Sequence, residues 1–217
     1  MELPWALGPP DGRYPVRGIG APPGSDPVNV LVLTTLGAPE RHRLAGLRRS
    51  AQAQPEPEPA PVATGRATIV DVQEPFADSE QGGAWLQSAG EPELNAGLEV
   101  LNRTLHAFRL VTADPHLHTI SRHQALVARI GFGAGEQVAD GAWTDARELS
   151  PTRRRPSRAQ LLEPQARLAA VLNGHRRALA CEELALRARL DLEQGRDREA
   201  ALQLGVALDA ALAELAR

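Results

Sequence analysis

Apolar residues cluster or alternate in three short stretches and recur at helical spacing further on. That pattern sets the expected architecture. Residues 28–36 (VNVLVLTTL) are β-branched and apolar almost throughout, and Pro27 and Gly37-Ala38-Pro39 bound them. This is a strand signature. Apolar side chains at both parities predict a strand covered on both faces. A second strand is expected at 66–73 (RATIVDVQ). In the third stretch Leu126, Ala128, Ile130 and Phe132 share one face by alternation. Val138-Ala139 and Ala142-Trp143 flank Asp140-Gly141, which predicts a tight type I′ hairpin. A short edge strand is expected at 13–17 (RYPVR), since an edge tolerates Pro15.

Helical spacing begins after residue 78. Asp78 or Ser79 is placed to cap a short helix running through Trp85 and Leu86. Leu94, Leu98, Leu101, Leu105 and Phe108 recur at steps of three and four. They predict a helix over 91–113 with one face on the sheet, Pro92 in its first turn and Asp114-Pro115 ending it. Three more helices are expected in the last third of the chain: one opened by Pro164 and ending before Gly174, one over 175–194, and one over 197–216. Strand runs followed by helical runs predict an α+β fold. The expected fold is a small, mostly antiparallel sheet from 28–36, 66–73 and 126–143, backed by the 91–113 helix. A C-terminal helical hairpin or three-helix subdomain follows it.

Two stretches interrupt this pattern. Residues 48–65 (RRSAQAQPEPEPAPVATG) alternate proline with glutamate. They offer no apolar face and predict a flexible or polyproline-II segment. Residues 148–160 form a basic, proline-containing joint, and 150–158 are expected to be mobile like 48–65. The chain therefore divides into a first part of the α+β domain (1–47), the Pro/Glu-rich loop or linker (48–65), the rest of that domain (66–147), the joint (148–160) and the helical subdomain (161–217). Strands on both sides of 48–65 are assigned to one sheet, because 47 residues alone cannot bury a core.

Composition narrows the chemistry. All 24 basic residues are arginine. This excludes lysine Schiff bases, lysine bases and the lysine-containing phosphate loop. It also weakens arginine clusters as evidence, because every positive charge must be an arginine. Aromatic residues make up 3%, so aliphatic side chains must build the core. The net charge of −3 gives no overall field for nucleic acid or anionic membranes. One cysteine, Cys181, excludes an intrachain disulfide and a cysteine-based zinc site. No apolar run approaches a membrane span, and the N-terminal residues carry no basic and apolar leader pattern. A cytoplasmic protein is expected.

Candidate sites are few. The glycines of Gly131-Phe132-Gly133-Ala134-Gly135 follow a strand, but a hairpin rather than a helix is expected next. They read as turn glycines, and no cofactor is expected. Asp114, His116, His118 and His123 are the densest set of potential metal ligands. An H-x-H pair on a strand would aim both imidazoles to one side, which makes an enzyme or metal protein using the His116/His118 region an alternative function, yet the segment has no strand pattern. Asn102, His106 and Arg109 share one flank of the 91–113 helix, where a small anion or solvent could meet them. No nucleophile elbow is present, and Cys181 sits among helical apolar residues. Arg41, Arg43, Arg48 and Arg49 form one basic cluster, and Arg153, Arg154, Arg155 and Arg158 another. Such clusters could neutralise phosphates, which makes nucleic-acid binding an alternative function. No aromatics interleave them for base stacking.

The last two helices carry the clearest signal. Cys181, Leu184, Ala185, Ala188 and Leu192 form one apolar arc, and Leu179, Leu186 and Leu190 form another. In the final helix Ala201, Leu204, Leu208, Leu212 and Leu215 form the main stripe, with Leu202, Val206 and Ala213 as a second. The run LRARLDLEQGRDREAALQLGVAL resembles one tetratricopeptide repeat. That resemblance implies a protein-binding helical surface. It covers one repeat where a free-standing array needs three or more, and lacks the family's aromatic position and terminal proline. The segment is read as an αα-hairpin, and no family is assigned. Two stripes on one helix require two packing partners. The expected function is thus non-enzymatic assembly through Leu179, Leu186, Leu190, Leu202 and Val206, with a second copy in a homodimer or with another protein.

Overall fold

The computed structural model describes residues 1–18, 20–22, 24–37, 62–73, 75–149 and 158–216. It divides into two compact units, Met1–Pro151 and Thr152–Arg217. The fold is α+β. Of the segments expected to be mobile, 48–61 and 150–157 lie outside the described residues, as do Arg41, Arg43, Arg48, Arg49, Arg153, Arg154 and Arg155.

The first unit contains a four-stranded antiparallel sheet of β1 (Glu2–Leu3), β2 (Gly12–Val16), β3 (Asn29–Leu36) and β4 (Thr64–Asp71), in the order β1-β4-β3-β2. The strands on either side of the Pro/Glu-rich segment are direct neighbours, with Leu31 opposite Ile69 and Leu33 opposite Ala67. The first helix, α1 (Ser79–Ser88), is capped by the Asp78 carboxylate, which accepts from the Gln81 N–H at 2.8 Å. The second, α2 (Glu91–Thr112), starts with the Glu93 carboxylate accepting from the Gly90 N–H. It ends on Ala113 in the left-handed region, φ 53°. Its Leu101 and Leu105 pack with Leu31, Leu33 and Ala67, and Leu3, Leu7 and Ile120 complete this core. On the opposite face Val32 and Thr68 are paired and buried. Arg13 of β2, beside Val32, forms ion pairs there with Glu136 at 3.3 Å and Asp140 at 3.4 Å.

Residues 126–143 do not join this sheet as a third main strand. Instead β5 (Arg129–Phe132) and β6 (Asp145–Glu148) form a separate antiparallel pair. The expected Asp140-Gly141 hairpin is absent. Residues 136–138 form a 3₁₀ turn, and the Ala139, Asp140 and Gly141 N–H groups continue to bond three residues back. The cause is Trp143. Its ring lies where a Cβ on Gly131 would stand, so the return strand starts beyond the tryptophan, at Asp145. A second cluster of Leu86, Ala89, Leu94, Ala128 and Ile130 ties β5 to both helices.

The second unit contains α3 (Arg158–Leu172), α4 (Ala180–Glu193) and α5 (Asp197–Leu215). Pro164 lies inside α3 rather than at its start, because the preceding RAQLLE residues favour helix strongly enough to extend it upstream. Gly174 and Gly195, at φ 72° and 67°, supply the left-handed positions that end α3 and α4.

Asn102 was grouped with His106 and Arg109 as a possible anion-binding flank, but it is only 1% exposed. Its amide donates to the Ile120 carbonyl at 2.9 Å and accepts from the Ile120 N–H at 2.7 Å. It serves as a polar clamp holding the 113–121 loop against α2. Asn102→Ala leaves both Ile120 groups buried and unpaired, so a stability loss of about 3 kcal/mol is expected in denaturant titration. A loss near zero would show that the clamp is dispensable.

Candidate interaction site

The hairpin of α4 and α5 is held by small residues. Ala188, Ala200 and Ala207 are the buried apolar residues of this unit among the described residues. Cys181, Leu184 and Gln203 are half-buried beside them. Alanine permits close helix approach but buries little area, so the seam contributes little hydrophobic stabilisation. Polar clasps reinforce it. Arg196 forms a largely buried ion pair with Asp191 at 2.6 Å. The Glu214 carboxylate, near the end of α5, accepts from the Ala180 and Cys181 N–H groups at 2.9 and 3.1 Å. It thereby caps the start of α4 from the other helix. Glu182 accepts from the Leu179 N–H at 3.3 Å and pairs with Arg176.

These clasps set the electrostatics. The two backbone N–H bonds hold the Glu214 carboxyl below its usual range. Glu182 is lowered by the Leu179 N–H and then by Arg176. Partial burial and the adjacent Glu214 push the Cys181 thiol upward, which makes it a poor nucleophile at neutral pH.

The leucine stripes lie outside the seam. Leu186 is 63% exposed, Leu190 41%, Leu202 65% and Val206 55%, while Leu179 is half-buried. Leu192, Leu204, Leu208, Leu212 and Leu215 are exposed as well. The alanine row at Ala200 and Ala207, rather than either leucine stripe of α5, is buried in the hairpin. In α3, Leu168, Val171 and Leu172 are also exposed.

The other candidate residues do not converge. Asp114 accepts from the backbone N–H of His116 at 2.9 Å, an ordinary turn bond. His116 and His118 border a cavity of about 230 Å³ together with Trp5, Leu7 and Leu105, and His123 sits in a separate 3₁₀ turn. Among the described residues no three His, Cys, Asp or Glu side chains are grouped to hold a metal. Arg158 is the first residue of α3. No described helix is long and apolar enough to cross a membrane.

A larger cavity, about 1330 Å³, lies in the first unit. Ile69 and Asp71 of β4, Arg129 and Gly131 of β5, and Leu94 and Gly97 of α2 line it, with Met1 at one end. The Met1 ammonium donates to the Ala67 carbonyl at 2.7 Å. Burial lowers its pKa to about 6 against the opposing charge of Glu2, and the charges of Arg66, Arg129 and Arg122 act in the same direction as burial. No sequence pattern announced this site, because a strand's apolar alternation does not reveal whether its edge is paired.

The Glu214 cap predicts a pH dependence. A carboxylate lowered in the folded state contributes stability that is present above its ordinary range and is lost as the pH falls through its folded value. The helical unit should therefore lose thermal stability on acidification, and Glu214→Gln should flatten that loss and lower Tm at neutral pH. Identical acid profiles for the two proteins, followed by circular dichroism, would contradict the cap. Comparison of the chain with known protein families, with curated proteins and with solved structures finds no match in any of the three.

Proposed function

We propose that this is a non-enzymatic assembly protein of a reducing, intracellular compartment, and that its helical unit associates with a second copy of itself. One observation carries the reading. The hairpin buries alanines, while nine large aliphatic side chains of α4 and α5, from Leu186 to Leu215, remain exposed in the single chain. Exposed apolar stripes of that length mark interaction faces. A two-fold pairing of hairpins into a four-helix arrangement covers the stripes of both copies with one self-complementary contact. The arginines beside the α4 stripe are paired within the helix. Arg187 is paired with Glu183 and Arg189 with Glu193, at 2.9 and 2.8 Å. Each of these pairs balances its own charge beside the α4 stripe. The thiol form of Cys181 agrees with a protein that does not use it chemically.

Leu186→Glu combined with Leu190→Glu introduces four charges into a symmetric interface. The dissociation constant of the self-complex should rise at least ~100-fold, since each buried leucine is worth about 2 kcal/mol. The helicity of each chain should persist. Light scattering over a concentration series reads the first effect and circular dichroism the second. An unchanged mass distribution in the double variant would remove these leucines from the interface. A wild-type monomer that instead retains a different protein through the same residues would replace the second copy as the partner.

A further inference from the structure

The short strand β1 occupies one end of the space between β4 and β5 and is hydrogen-bonded on both sides. On one side Glu2 and Leu3 pair with Arg66 and Gly65, and the Ala67 N–H donates to the Met1 carbonyl at 2.9 Å. On the other side the Glu2 N–H donates to the Val127 carbonyl at 2.9 Å and the Leu126 N–H to the Glu2 carbonyl at 2.8 Å. β1 runs antiparallel to both neighbours. Beyond it Ile69 and Asp71 of β4 and Arg129 and Gly131 of β5 line one cavity.

The directions of the backbone groups follow from alternation. Ala67 bonds toward β1, so Ile69 and Asp71 turn their N–H and C=O groups the same way. Val127 bonds toward β1, so Arg129 and Gly131 do likewise. The Ala128 and Phe132 carbonyls accept from Leu149 and Thr144, both at 2.8 Å, which fixes the even positions of β5 on the β6 side. Two strand edges thus face one another across the 1330 Å³ cavity. Among the described residues no strand pairs with either edge beyond β1.

We propose that this slot accepts an extended segment of a partner polypeptide as a strand between β4 and β5. About four residues would lie antiparallel to both edges, as β1 does. The seated β1 is the evidence for the kind of occupant, because its backbone already makes the bonds that the slot offers further along. Side chains set the chemistry. A residue between Ile69 and Ile130 faces α2, where Leu94 packs with Ile130 and Gly97 lies beside Ile69. Alternate positions of the segment are therefore apolar. At its carboxyl end Arg66 is paired with Glu2 at 3.2 Å and Arg129 with Glu148 at 3.8 Å, and at its amino end lie Asp71 and Asp145, so a basic amino end fits.

Three measurements on the full chain test this. In hydrogen exchange the Ile69, Asp71, Arg129 and Gly131 amides of the chain alone should exchange fast; protection of all four would mean that the slot is closed and would overturn the proposal. Adding Lys-Val-Thr-Val-Thr before Met1 supplies the segment in cis. It should raise Tm by several degrees and protect those amides; neither effect would also overturn it. Finally, a phage-displayed library of random dodecapeptides should yield binders with alternating apolar residues. Asp71→Pro or Arg129→Pro, each removing one slot-facing N–H while sparing the existing ladders, should weaken them about tenfold. Absence of binders, or binders indifferent to both substitutions, counts against the slot. The leucine-stripe variants leave all three readouts unchanged, so failure here and failure of the helical assembly are separable.

Discussion

Leu101 and Leu105 of α2 seated against Leu31, Leu33 and Ala67 are the contact on which the first unit depends. A chain with so few aromatic residues must build its interior from aliphatic side chains, and close packing then falls on one helix and two adjacent strands. The burial of these leucines fixes the register of β3 on β4, since a slip of β3 by one residue would turn Leu31 and Leu33 away from the helix while Ala67 still faced it. Asn102, between the two leucines, ties the following loop to the same helix through both groups of Ile120. The β4 edge keeps its place because its other side is pinned in this way.

The second unit obeys the opposite constraint. Its hairpin seam is made of alanines, so the two helices come close and bury little. The largely buried Arg196–Asp191 pair and the more exposed Glu214 cap fix the pairing geometry. The large aliphatic residues remain on the outer faces. In the proposed assembly stability and function are linked in this unit, because the surface that a second copy would cover is also the surface by which it would be recognised.

Much of this was legible in the residues. The α2 helix announced itself through leucines at steps of three and four, and β3 through an uninterrupted β-branched run. Both are long, strongly patterned segments whose local preference agrees with their packing. The errors share a cause, which is contact between residues far apart in sequence or in separate elements. Asp140-Gly141 has hairpin chemistry, but Trp143 packing over Gly131 moves the return strand. Asn102 has the spacing of a surface residue, but Ile120 claims it. β1 is too short to carry a period. In α5 the alanine row and the leucine stripe are both apolar, and spacing alone does not say which meets α4. The cavity between β4 and β5 was invisible for a similar reason, because an unpaired edge is a property of neighbours.

The mass of the wild-type chain in solution tests the central claim most directly. Sedimentation equilibrium over a micromolar concentration range should give twice the 23.2 kDa chain mass, falling toward one chain only on dilution. A mass of one chain throughout that range, with the α4 and α5 leucines still accessible, would contradict assembly through the helical unit.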